Sequence, residues 1–131
     1  MTGETDLEAL LQGMNPELHP ETYVFVTRPG QGVPPDCVPV LMFQEREGTT
    51  FIVTQAQAEA LGWSYEYPCC MITLNVHSAL DAIGFLARIF TALANAGVSV
   101  NPVAGYHHDH LFVPEEAADA AMELLKQLSK A

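Results

Sequence analysis

Residues 107–110 read His-His-Asp-His and stand directly before the apolar run Leu111-Phe112-Val113. Imidazoles and a carboxylate at this spacing suggest three chemistries. Histidines at i and i+2 of a strand share a face, as His108 and His110 would, and two such rings can begin a zinc site. A His–Asp pair can act as a general base with its orienting acid. The same residues also suit a polar turn between two strands. A metal centre needs a third ligand on the same face, and Asp109 alternates to the other one. Catalysis needs a nucleophile or an acidic substrate proton beside the pair, and no such motif accompanies it. The pattern favours a turn and pocket wall. No catalytic residue, no metal ligand and no cofactor is expected, and the chain is not expected to be an enzyme.

Composition narrows the partners. The chain has 131 residues, of which 49% are hydrophobic and 16% charged, enough apolar matter for a core. Five Lys and Arg against 16 Asp and Glu give a formal net charge of −11. Such a chain repels phosphate backbones and anionic lipid, so neither nucleic acid nor membrane is an expected partner. The start, "MTGETDLEALLQG", lacks the basic and apolar regions of a signal peptide, and no apolar run approaches the roughly 20 residues that span a bilayer. The three cysteines, Cys37, Cys69 and Cys70, make a poor disulfide framework and contain no CxxC spacing. Reduced thiols and a cytoplasmic location follow as expectations.

The elements that must position the histidines come next. Thr5-x-x-Glu8 is a capping box, and Leu7, Leu10, Leu11 and Met14 follow at helical spacing. Two prolines in "MNPELHPE" break that helix. Residues 22–27, "TYVFVT", read as a strand and 28–36, "RPGQGVPPD", as a loop. Its Gly-x-Gly lacks the clean helix start that would hold a phosphate. Residues 37–45 and 49–54 form a hairpin, Thr54-x-x-Gln57 caps a short helix ended by Gly62, and 63–68 make a short strand with Trp63, Tyr65 and Tyr67 on one face. "CCMITLNV" (69–76) alternates as a half-buried strand. A helix from near Ala82 then buries Leu86, Ile89, Phe90 and Leu93, with Gly97 as its stop. Strands at 98–105 and 110–114 and a helix from Pro114 complete the chain.

Residues 69–129 thus read β-α-β-β-α, and the stretch from 22 reads the same with its first helix reduced to a loop. Two related units follow. Residues 1–67 hold the N-terminal helix and a degenerate unit, and 68–131 the second unit. Each is marginal alone. The second lacks a final strand, so a strand from the first unit or from another chain is expected on that edge.

"AIGFLARIFTALANAGVSVNPVAGYHHDHLFV" (82–113) resembles the core of an ACT domain, most of all the aspartokinase type. The features are Gly84 in the turn opening the helix, Ile89, Phe90 and Leu93 on its inner face, then Ala96-Gly97, Val98 to Val100 and a hairpin with an apolar strand. The whole chain resembles small bacterial tandem ACT proteins. Ile83-Gly84 stands where many ACT domains have Pro-Gly. The resemblance implies an α+β fold: two ferredoxin-like βαββαβ units packed together, antiparallel sheets with helices on one face. It also implies a regulatory protein binding an amino acid at an interface between units, near the turn from first strand to first helix.

The residues can supply such a site. A helix starting near Ala82 leaves the N–H groups of Ile83, Gly84 and Phe85 for a carboxylate, and Gly84 permits close approach. Asp81 or Asp109 suits an ammonium group, Asn101 suits further polar groups, and Tyr106 and His108 would line the wall. The same residues also permit a purely structural role, Gly84 for packing and Ser78 or Asp81 for capping. A homodimer or a regulated enzyme is the expected macromolecular partner. A ligand-free interaction module, or a small enzyme centred on His108, Asp109 and His110, stays as the alternative.

Overall fold

A computed structural model describes residues 3–30 and 32–130. They fold into two compact units. One contains the described residues up to Pro20 and those from Cys70 on; the other is Glu21–Cys69. Two long strands, β1 (Pro16–Arg28) and β4 (Glu66–Leu74), contribute residues to both.

The first unit begins with helix α1, Leu7–Gln12. Its N-cap is Asp6, whose carboxylate accepts the Ala9 N–H at 3.0 Å, one residue later than the Thr5 box suggests. Asp is as good a cap as Thr, and Glu4 has already taken the N–H groups of Thr5 and Asp6. The chain then enters β1 at Pro16. The two prolines stop the helix but do not stop a strand: Pro16 is its first residue, where no ladder donor is needed. The sheet order of this unit is residues 16–20 of β1, then β4, β6 (Asp109–Pro114) and β5 (Asn101–Ala104). The missing fourth strand is therefore supplied by the residues that follow α1.

Helices α3 (Phe85–Asn95) and α4 (Ala118–Lys130) join α1 over one face of that sheet. A single turn of 3-10 helix, Glu115–Ala117, leads into α4. Leu10, Leu11 and Met14 pack with Ile72 and Leu74 of β4, Ile89 and Leu93 of α3, Leu111 and Val113 of β6 and Leu125 of α4 in one buried cluster. The alternation read in β4 puts Ile72 and Leu74 on that face. Met71 and Thr73, on the other side, are buried as well, so this strand is covered on both faces.

The second unit orders its strands β2 (Leu41–Gln44), β3 (Thr49–Thr54), β1 and the start of β4, with helix α2 (Gln55–Ala60). Thr54 caps α2 by accepting the Gln57 N–H at 3.2 Å, as its spacing indicates. Val24, Val26, Phe51, Val53 and Ala58 form the core, and Trp63 stacks on Phe51 at 5.3 Å. Residues 63–68 are not a separate strand. β4 starts at Glu66 and runs on, and Tyr67 adopts φ +63°, which breaks the simple alternation of Trp63, Tyr65 and Tyr67.

The whole is the α+β, ferredoxin-like architecture expected, with antiparallel strand pairing. Among the described residues no helix is long and apolar enough to cross a membrane.

Truncating Leu10 to Ala should cost about 2–5 kcal/mol in denaturant unfolding of the full chain, since a fully buried side chain leaves a cavity. Residues 69–131 expressed alone should lack a cooperative melt and bind a hydrophobic dye, because Leu10, Leu11, Met14 and a strand are missing. A well-dispersed monomeric spectrum from that fragment would contradict this account.

Candidate functional site

The connection from β4 to α3 makes the site. Ser78 and Ala79 are buried, and the Ala82 N–H closes a turn onto the Ala79 carbonyl at 3.0 Å. That turn and Gly84, at φ +89°, delay the helix. It begins at Phe85 and not near Ala82, because the backbone only enters the helical region there. The first intrahelical bond runs from the Arg88 N–H to the Gly84 carbonyl, 3.0 Å. Gly84 offers no side-chain cap, so the N–H groups of the first turn are those of Phe85, Leu86 and Ala87.

The chain's start straps this connection down. The Glu4 N–H bonds the His77 carbonyl at 2.7 Å, and the Ala79 N–H bonds the Glu4 carbonyl at 2.9 Å. A Cβ on Gly3 would lie 2.7 Å from the Ala79 nitrogen, so glycine is required for this approach.

Asp109 enters from the other side, at the start of β6. Gly105 allows the hairpin to close, donating its N–H to the His108 carbonyl at 2.9 Å. Ser78 Oγ donates to Asp109 Oδ2 at 2.8 Å, and Asp109 is only 6% exposed. Ser78, Ala82, Gly84, Phe85, Leu86, Ala87 and Asp109 all line one cavity of about 160 Å³. It brings together an uncapped helix start and a buried carboxylate. A larger, more open groove of about 460 Å³ follows α3 from Leu7 to Leu128, with Arg88 its one charged lining residue among the described residues.

Of the residues singled out in the sequence, Ala82, Gly84, Phe85 and Asp109 meet at the cavity. Asp81 is exposed, and Ile83, at 87% exposure, points away to solvent. Tyr106 is 62% exposed and clusters with His107 and His77 (ring centroids 5.1 Å and 6.3 Å). Asn101 pairs with Phe112 across the ladder, which puts it on the sheet face of His108 and His110, opposite Asp109. Ser78, Ala79, Leu80, Leu86, Ala87, Ala104 and Gly105 make up the rest of the lining; the sequence suggests Ser78 only as a cap and Leu86 only as a core residue. A serine just after a buried strand was the available signal.

On the opposite sheet face a polar ladder crosses three strands. Thr73 Oγ1 lies 2.7 Å from His19 Nε2 and 2.9 Å from His110 Nδ1. A hydroxyl can donate to one imidazole and accept from the other, so two neutral rings satisfy it. Burial pushes the His110 imidazole below its ordinary value. His108 and His19 add to the shift, and Asp109 opposes it. Among the described residues, no three His, Cys, Asp or Glu side chains are grouped to hold a metal.

The fold is a ferredoxin-like module in tandem. The chain belongs to the ACT-domain family, matching ACT-domain models over residues 2–70 and 66–127. No curated protein matches it. A solved protein of unknown function from Vibrio cholerae, described as a possible transport protein, is 40% identical, with a TM-score of 0.83 over 94% of this chain and 95% of that one. The ligand-free regulatory subunit of aspartate kinase from Thermus thermophilus shares the fold at 13% identity, with a TM-score of 0.67 over 88% of this chain and 97% of that one. Aspartokinase III of E. coli shares it at 11% identity and a TM-score of 0.66, over 88% of this chain and 33% of the enzyme. Tandem ACT domains are typical of amino-acid-binding regulatory modules.

Two measurements follow. The native state holds the His110 pKa below the ordinary 6.5, so the unfolded chain binds that proton more tightly. Its stabilising contribution is complete above the ordinary value and is lost as pH falls through the lowered one. From about pH 7.5 to about pH 5.5 the parent's melting temperature should drop further than that of His110→Gln. Gly84→Ala should cost about 1–2 kcal/mol in chemical unfolding, the penalty of a Cβ in a left-handed conformation. A neutral result there would remove the strain argument.

Proposed function

We propose that the protein is a cytoplasmic regulatory module that binds a free amino acid in the cavity between the β4–α3 connection and Asp109. One observation carries this reading: the two groups complementary to an α-amino acid zwitterion line the same small cavity. The first-turn N–H groups of α3 suit the carboxylate, at the positive end of an 11-residue helix. Asp109 suits the ammonium group. Its Oδ2 accepts the Ser78 hydroxyl's hydrogen bond, and a carboxylate has further acceptor capacity to offer.

Other features support the reading. The remaining lining is alanine, leucine, phenylalanine and glycine, which can surround a side chain of modest size. Cys37, Cys69 and Cys70 form no disulfide among the described residues, which suits a reducing compartment. The ligand's macromolecular counterpart, a regulated enzyme or transporter, is set by the surface and not by this cavity.

A thermal-shift screen with the common amino acids tests the proposal. A ligand at 100 times its dissociation constant adds about 2.7 kcal/mol of stability. Asp109→Asn should remain folded and bind the best ligand about 10- to 100-fold more weakly, the worth of a charge-assisted bond. Ser78→Ala should weaken binding less, since it only orients Asp109. Affinity unchanged in Asp109→Asn would remove the site from this cavity.

A further inference from the structure

We propose, resting on the amino-acid reading of the cavity, that it selects an amino acid with a short, uncharged aliphatic side chain, and that Ala104 sets the size it admits. Ala104 stands directly across the β5–β6 ladder from Asp109. Such partners share a sheet face, with Cβ atoms about 4.5–5.5 Å apart. Ala104 therefore borders whatever group Asp109 holds, and both line the cavity. Gly105, the next residue, cannot take that place: a Cβ there would lie 2.9 Å from the His108 carbonyl oxygen. On the hairpin side the room for a ligand is thus fixed by one methyl group.

The rest of the wall is chemically uniform. Apart from Ser78 and Asp109, every described lining residue is alanine, glycine, leucine or phenylalanine. The Ser78 hydroxyl hydrogen is given to Asp109. The N–H groups of Ala79, Ala82 and Gly105 are bonded to the carbonyls of Glu4, Ala79 and His108. A hydroxyl or amide on the ligand would leave water and find none of these donors free, which is costly in a partly enclosed place. A second carboxylate would meet Asp109 with no cation among the described lining residues, and a second cationic group would find Asp109 already taken. An alkyl group gives up no hydrogen bond on entry. It also covers Leu80, which lines the cavity yet stands 57% exposed.

Volume sets the upper limit. The cavity holds about 160 Å³, below the roughly 300–1,000 Å³ of pockets that enclose drug-sized ligands. The groove along α3 shares only Gly84 and Ala87 with it. Those residues belong to the helix start, which the ligand's carboxylate occupies, so the groove adds room behind the carboxylate and not beside the side chain. Alanine to valine spans the range admitted.

Calorimetric titration of the full chain with alanine, valine, leucine, threonine, phenylalanine, aspartate and lysine tests this. Valine should bind about 10-fold or more tightly than its isostere threonine, and leucine, phenylalanine, aspartate and lysine more weakly than valine. Ala104→Leu replaces an exposed residue, so its melting temperature should stay near the parent's. It should lower valine's affinity about 10-fold more than alanine's, since crowding by a methylene is felt at this scale. Ala104→Gly reads the same gate in reverse and should raise leucine's affinity relative to valine's by about 10-fold. Threonine equal to valine, or a charged or aromatic amino acid ahead of both valine and alanine, overturns the selectivity. Unchanged ratios in the two variants overturn the gate, and were Ala104→Leu to lose its fold, Ala104→Gly decides. If a charged or aromatic amino acid binds best and Asp109→Asn abolishes its binding, the amino-acid site stands and the selectivity alone fails. Binding by none of the seven rejects both.

Discussion

Residues 70–130 supply only three strands and two long helices, and such a set cannot close its own core. This shortfall governs much of the molecule. Residues 3–20 complete it, with α1 capping the apolar cluster and residues 16–20 adding the fourth strand. The contribution is not marginal. Leu10 and Met14 are fully buried, and burying such side chains is worth about 1.5–3 kcal/mol each. The stability of a small domain is itself only about 5–15 kcal/mol.

The same dependence reaches the cavity. Glu4 fixes the backbone at His77 and Ala79, and Ser78 between them fixes Asp109. A buried carboxylate is costly unless hydrogen bonds or a counter-charge offset its lost hydration. Ser78 provides part of that, and the helix start that shares the cavity carries complementary partial charge. The overall charge of −11 says little about this place, because the balance there is set by one carboxylate and one helix end. In the proposed reading a zwitterion suits this place, where a free anion or a free cation would meet only half of its complement.

Much of the fold was legible because it rests on periodicity. The alternation of Ile72 and Leu74, the spacing of Ile89 and Leu93, and the Thr54–Gln57 cap all reappear in the structure. The resemblance over 82–113 also led to the right family. What the sequence did not disclose came from tertiary context. Pro16 and Pro20 look like breakers, yet one opens a strand and both lie within it. The late start of α3 depends on a turn at 79–82 and a left-handed Gly84, which apolar spacing cannot register. Asp109 was separated from His108 and His110 by simple alternation, and the structure keeps that division. The His19–Thr73–His110 ladder was hidden because its members lie 54 and 37 residues apart.

In the proposed reading, ligand and strap are thermodynamically linked. A ligand bound at the first turn of α3 and Asp109 favours the conformation of the connection that presents both. That conformation is the one to which Glu4 is bonded, through His77 and Ala79. Whatever coupling exists must be reciprocal: if the strap raises ligand affinity by some factor, ligand raises the strap's hold on the connection by the same factor. The contact at Gly3 leaves no room for a side chain, so the strap seats this closely only with glycine there. A small ligand in a small cavity thereby gains influence over a segment beyond its own contacts, which is what a regulatory module requires.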